Sequence, residues 1–137
     1  MSHVVDTNVV SALVRSDPIA SRRLLALPPS QIYLPHPVVA EIRYGLERLP
    51  RSRRRTTLER RCEELFSALQ RVEWTDDVSL CFGTIKADLE RIGARIDDFD
   101  VAIAAHAVAL GAVLATANTR HFGRISGLQV EDWTKAP

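Results

Sequence analysis

At 137 residues, with 46% hydrophobic and 26% charged side chains, the chain is long enough to bury roughly two thirds of its unfolded surface in one core, without a disulfide or metal staple. A formal net charge of +1 excludes a uniformly basic coat, so electrostatic recognition has to come from local clustering; all but two of the 18 basic residues, Lys86 and Lys135, are arginine, which favours forked contacts to phosphate or carboxylate. No apolar run approaches the ~20 residues of a membrane span and no signal-like segment opens the chain, so no membrane partner and a cytoplasmic location are expected.

Val4 and Val5 form a β-branched run that ends on Asp6 and turns into a helical segment from about Asn8 to Val14. Asp6 is thereby expected at the carboxyl end of a buried strand, the edge where ligand sites collect in an open α/β sheet, although the same carboxylate is suited to cap the helix that follows. Asp17 and Pro18 open a second helix that runs to about Leu27 and is stopped by Pro28 and Pro29. Ile32, Tyr33 and Leu34 read as a second strand, closed by Pro35 and Pro37, which also open the next helix. From Val38 to Leu49, the positions Val39, Ile42, Leu46 and Leu49 define one buried stripe with Glu41 beside it. In the first turns of a helix leaving the second strand, Glu41 either reaches the edge where Asp6 stands or faces solvent, as most glutamates do.

Eight arginines lie between Arg43 and Arg61 against two acids, Glu47 and Glu59. That density suits phosphate, an acidic protein partner or a solvated face. Past Pro50 and Ser52, Leu58, Cys62, Leu65, Phe66 and Leu69 mark another helix. Val72, Glu73 and Trp74 are expected as a third strand, Asp76 or Asp77 as the next cap, and Val78, Phe82, Ile85, Leu89 and Ile92 as the core face of a helix ended by Gly93. Asp97, Asp98 and Asp100 then crowd directly before an apolar helix, Val101 to Leu110. Three carboxylates exceed what capping needs, and because they repel one another, either their pKa values rise or a cation neutralises them. Gly111 closes that helix. Val113, Leu114 and Ala115 lead a buried strand into Thr116, Ala117 and Asn118, so Asn118 stands at a second strand end; Leu128, Gln129 and Val130 suggest an edge strand ending near Trp133. Cys62 and Cys81 lack any CxxC partner and read as reduced core thiols, and His3, His36, His106 and His121 show no metal-ligand spacing and read as structural.

Strands alternating with helices predict an α/β fold, a three-layer α/β/α domain over residues 1–137 with a mostly parallel central sheet. On that frame Asp6, Glu41, Asp100 and Asn118 project towards one edge. Oxygen ligands without thiolate or imidazole suit Mg²⁺ (or Mn²⁺), with Asp6, Glu41 and Asp100 as the metal carboxylates. Such a site fits a phosphodiesterase that uses a metal-activated water and needs no side-chain nucleophile.

The phrases VVDTNVVSAL, VAEIRYGLERL, IDDFDVAIAAHA and ATANTRHFGRISGLQVEDW, in this order and at these separations, resemble the PIN-domain ribonucleases, most closely the VapC-type toxins of toxin–antitoxin pairs. The resemblance covers nearly the whole chain. It matches the family's first aspartate to Asp6, its helix glutamate to Glu41, the aspartate before the apolar helix to Asp100 and its fourth, more variable polar position to Asn118. Asp97 and Asp98 fall beside the site as outer-shell groups, with Thr7, Asn8 and Thr116 placed to orient it. Many relatives carry an acid at the fourth position, so asparagine there puts a full second metal site in question. The resemblance further implies RNA as substrate, a small antitoxin as inhibitor, through a tail whose arginine pairs with the carboxylates, and a homodimer. Arg48, Arg51, Arg53, Arg54 and Arg55 are the expected RNA or antitoxin contacts.

Two other readings compete. Asp6, Thr7 and Asn8 also resemble the start of aspartyl-phosphate phosphatases, but Asn8 occupies the place of their second aspartate and no lysine partner accompanies the later acids. A non-catalytic module of the same fold would bind RNA or protein through its arginines, yet it would carry clustered carboxylates it does not need.

Overall fold

The computed structural model describes residues 1–137. Its first strand, β1 (His3–Val5), ends on Asp6, whose side chain caps α1 (Thr7–Val14). The turn after α1 passes through Ser16, a non-glycine residue at φ 62°, before Asp17 caps α2 (Pro18–Leu25) with Pro18 in its first turn. β2 (Ile32–Pro35) runs into α3 (His36–Glu47), and Ser52 caps the arginine-rich α4 (Arg53–Ala68). β3 (Gln70–Val72), α5 (Asp76–Arg91) and α6 (Asp98–Leu110) follow, then β4 (Val113–Thr116), the short α7 (Thr119–Phe122) and β5 (Val130–Asp132).

All five strands are parallel, in the order β3-β2-β1-β4-β5, so the sheet is wholly and not just mostly parallel. The chain steps outward from β1 through β2 to β3, then returns across β1 to place β4 on its other side. Right-handed crossovers therefore put the helices of the outward half on one face and those of the return on the other, which makes the three layers. α1 packs on α2, α3 and α4, and α5 packs along α6. The core is one contiguous cluster of 28 buried residues, including Val4, Val5, Leu34, Ile103 and Leu114. α6 is buried over most of its circumference, as its unbroken apolar sequence requires. Gly111 ends it in the left-handed region at φ 63°, where a glycine avoids the Cβ penalty. No helix is long and apolar enough to cross a membrane.

Several expected boundaries shift. β3 is Gln70–Val72 and not Val72–Trp74, because the ladder stops where β2 stops: Tyr33 pairs with Gln70 and Pro35 with Val72. On an edge strand backbone pairing decides the span, and the exposed Gln70 and Arg71 hide it from a hydrophobicity reading. Trp74 leaves the sheet and stands edge-on to the ring of buried His106, with centroids 5.4 Å apart. The last strand, Val130–Asp132, ends near Trp133 as expected but starts two residues later, following its pairing with β4. Thr75, not Asp76 or Asp77, caps α5 by accepting from Val78 N at 3.3 Å, which leaves both aspartates in the first turn near the positive end of the helix dipole. Ile92, expected in the core, is 64% exposed where α5 ends, and Val38 is fully buried beside the expected Val39, which packs against the core half-buried. Cys62 and Cys81 are both free thiols, the first buried.

Candidate active site

Sheet register places the centre of the site. β1 and β4 are adjacent and parallel with Val5 opposite Ala115, so the next residue of each, Asp6 and Thr116, emerges side by side at the carboxyl edge. This is also where the strand order reverses, the crevice at which open α/β sheets bind ligands. Asp6 is only 2% exposed. Its Oδ2 accepts from Thr116 Oγ1 at 2.7 Å and from Asn8 Nδ2 at 3.2 Å, and its Oδ1 accepts from Thr7 N at 2.8 Å. Capping and site occupancy are thus one arrangement: the helix cap holds the carboxylate at the strand end. Asn8 closes the neighbouring gap, its Oδ1 accepting from Ala117 N at 2.9 Å, so it ties the ends of β1 and β4 together.

Glu41 comes to the same place from α3. Thr7 Oγ1 donates to Glu41 Oε1, and Thr7 thereby links the first turn of α1 to the glutamate. Asp100 arrives from the first turns of α6, whose N-cap is Asp97, accepting from Phe99 N at 2.7 Å. The proximity of the three acids is written in their acidities. Burial, then repulsion from Asp6, Glu41 and Asp97, pushes the Asp100 carboxyl up to about 6. Glu41 is raised by burial and by the charges of Asp6 and Asp97, against the Thr7 hydrogen bond that lowers it. Asp6 is raised by burial, only partly offset by the hydrogen bonds from Thr116, Thr7 and Asn8. A cation held between these carboxylates would relieve the repulsion that raises them.

A folded-state pKa above the unfolded value means that the folded protein holds this proton more tightly. The stability contributed by Asp100 is therefore fully present below its ordinary 3.8 and is lost as pH rises through about 6. Between pH 4.5 and 7, thermal melts of the metal-free protein are expected to fall in midpoint, and Asp100→Asn to flatten that fall; an identical slope in the variant would remove Asp100 from the repulsive set.

Other expected site residues behave differently. Asn118 lies at the carboxyl edge after β4, but its side chain donates to His121 Nδ1 at 2.9 Å, and it is Thr116 that touches Asp6. Thr116 also receives the Asn118 backbone N–H at 2.9 Å, which fixes the hydroxyl donated to the aspartate. Asp98 turns outward to an ion pair with Lys86 at 3.0 Å. No three carboxylate, imidazole or thiol groups are already gathered around a single point that one ion would fill. The donors at this edge are carboxylate, hydroxyl and amide oxygens, the donor chemistry that Mg²⁺ or Mn²⁺ takes.

The arginines divide. Arg55 departs from its expected role as an RNA or antitoxin contact, being buried, with Nε donating to Glu59 Oε1 at 3.1 Å, Nη1 to the Leu49 carbonyl at 3.1 Å and Nη2 to Glu47. It fastens the α3–α4 junction, and its guanidinium is used inside the fold. Arg55→Ala is expected to cost about 2 kcal/mol in urea unfolding, because two glutamates and a carbonyl lose one charged partner; a loss below about 0.5 kcal/mol would mean that solvent replaces the clamp. Arg48, Arg51, Arg53 and Arg54 are exposed. Of these Arg54 lines the same groove as Thr7 and Glu41, a cleft of about 420 Å³ between α1, α3 and α4. Arg15, which drew no attention in the sequence, lines it too; the signal was its i+8 spacing from Thr7, with Ser11 between them on one face of α1.

A family model described as the PIN domain matches residues 3–128. The chain belongs to the PIN domain family. It is 38% identical over 134 residues to the VapC ribonuclease Y4jK of Sinorhizobium fredii, covering 93% of this chain and 94% of that one. Against the tRNA(fMet)-specific endonuclease VapC of Shigella flexneri it is 28% identical over 134 residues, with 98% and 99% covered. Among solved structures, DNA-bound VapBC from Salmonella typhimurium superposes with a TM-score of 0.86 at 28% identity, over 97% of this chain and 98% of that one. VapBC-1 from nontypeable Haemophilus influenzae does so with a TM-score of 0.84 at 31% identity, over 98% and 100%. The agreement over whole chains extends to the PIN domain's three-layer architecture and parallel sheet.

Proposed function

We propose that this PIN domain protein is a divalent-metal-dependent endoribonuclease and the toxin of a toxin–antitoxin pair. The observation that carries the reading is the convergence of Asp6, Glu41 and Asp100 at the carboxyl edge beside β1 and β4, each with its carboxyl held above the ordinary range. These three would hold Mg²⁺ or Mn²⁺, and a bound ion supplies activation of water as nucleophile and charge stabilisation at the phosphate. Thr116, Thr7 and Asn8 keep the carboxylate oxygens of Asp6 and Glu41 in fixed directions, so little reorganisation is needed when a cation arrives. Asn118, in place of an acid, leaves the fourth position neutral and supports a site with fewer metal charges. Asp97 and Asp98 stand outside it.

The relatives named ribonuclease or endonuclease support RNA as the substrate, and the likeness to toxin–antitoxin complexes supports a small antitoxin as partner. A cytoplasmic homodimer belongs to the same reading; Leu80 and Ile92, both exposed and lining one apolar groove along α5, support association with a second copy. The decisive experiment is cleavage of a mixed RNA pool by the purified protein with Mg²⁺ or Mn²⁺, then with EDTA. Cutting that requires the ion is expected. Folded, antitoxin-free protein that cuts nothing with either ion would move the non-catalytic module ahead.

A prediction independent of cleavage concerns metal binding alone. Adding Mg²⁺ or Mn²⁺ in excess is expected to raise the melting temperature at neutral pH, because an ion that binds only the folded carboxylates stabilises by mass action. No shift with either ion, in protein that melts cooperatively, would count against a carboxylate metal site.

A further inference from the structure

The groove that begins at Thr7 and Glu41 ends among three arginines. Along α4, Arg54, Thr57, Leu58 and Arg61 recur at i, i+3, i+4 and i+7, which is one face of a helix. That face meets the end of α1, where Arg15 is the C-cap. Together these five residues line a cavity of about 320 Å³ that no carboxylate enters. Arg61 is anchored there by donating from Nη1 to the Val14 carbonyl at 3.3 Å. The ion pairs of the protein engage Arg43, Arg55, Arg91 and Arg95, and none of these three. Arg15, Arg54 and Leu58 belong to both the small cavity and the larger groove, so the two are continuous.

We infer that Arg15, Arg54 and Arg61 form a phosphodiester-binding subsite, which holds the RNA backbone at a phosphate removed from the one being cut. This rests on the ribonuclease reading above. Thr7 and Arg15 are eight residues apart on one helix, which is ~12 Å along its axis, too far for both ends of the groove to hold the same phosphate. A strand whose scissile phosphate lies at the acids carries further phosphates to either side whatever its sequence, and a cluster of forked guanidiniums beside the Thr57 hydroxyl suits non-bridging phosphate oxygens. The subsite positions the strand and reads no base. It also offsets the repulsion that an acidic centre exerts on an approaching polyanion.

The test compares wild type with Arg15→Gln, Arg54→Gln and Arg61→Gln combined, and with a control carrying Arg22→Gln, Arg60→Gln and Arg71→Gln. The control residues are equally exposed and remove the same charge, but line neither cavity. Binding of a short fluorescent single-stranded RNA is measured in EDTA across a salt series, with circular dichroism melts to verify folding. The subsite variant is expected to weaken binding about tenfold and to lower the slope of log affinity against log salt by about 2, the control by much less. With Mg²⁺, KM is expected to rise in the subsite variant while kcat holds. Equal losses in both variants would reduce the effect to diffuse charge and overturn the subsite. So would unchanged RNA binding in the subsite variant, including the case in which it loses only a polyglutamate probe, which would assign the arginines to an acidic protein partner. Wild type that cuts RNA while the arginine substitutions are silent sinks the subsite alone; wild type that binds through the arginines yet never cuts sinks the ribonuclease reading and leaves the subsite standing.

Discussion

Asp100→Asn is expected to lower metal-dependent RNA cleavage by about 10²–10³-fold, the scale at which one preorganised charged group contributes to a site of this kind. The substitution keeps the shape of the side chain and removes one negative charge from a group repelled by Asp6, Glu41 and Asp97. Stability is therefore expected to move the other way: at neutral pH and without metal, the variant melts at or above the wild-type temperature. The added Mg²⁺ that stabilises wild type is expected to do so much less here. This opposition between activity and stability distinguishes a site carboxylate from a structural one, whose loss would lower both. Cleavage at the wild-type rate by the pure variant would show that the acids at the start of α6 take no part.

Asp6 joins both roles in one side chain, and two substitutions separate them. Asp6→Ala removes the cap of α1 and the acceptor used by Thr7 N, Asn8 Nδ2 and the buried Thr116 hydroxyl. Loss of the cap and of a buried acceptor is expected to cost about 1–2 kcal/mol, part of it returned by removal of a charge that burial disfavours. Asp6→Asn keeps an acceptor oxygen for the helix cap and is expected to cost less. Both should reduce cleavage to background, because neither leaves a charged ligand at the strand end. Equilibrium urea unfolding together with the RNA assay checks the pair; cleavage retained by Asp6→Asn would reduce this residue to a helix cap.

Much of the framework is legible in the chain because its signals are local. Paired valines before Asp6, prolines flanking β2, glycines after α5 and α6, and the apolar run of α6 each act over a few residues, and each element they announce is present. Where an element depends on its neighbour, the reading slips. The third strand is displaced and the last one starts later because edge-strand limits are set by pairing with β2 and β4, and not by their own side chains. The arginine run shows the same limit. Arg54 and Arg55 are adjacent and chemically identical, yet one lines the groove and the other is enclosed between Glu47, Glu59 and the Leu49 carbonyl. A helix advances 100° per residue, so neighbours in sequence face different surroundings.

By itself the sequence determined which side chains are on offer: clustered carboxylates, cysteines and histidines without metal-ligand spacing, and motifs in the order of the PIN domain. Tertiary structure decided which of those side chains meet. Parallel pairing of β1 with β4 brings Thr116 to Asp6 across 110 residues, the Thr7 hydroxyl draws in Glu41, and Asn118 turns to His121. It also decided that Arg15 and Arg61, 46 positions apart, share one cavity. The physical reason is that residue type is a local property, whereas burial, repulsion and hydrogen bonding depend on strand register and helix rotation, which only the folded sheet and its covering helices specify.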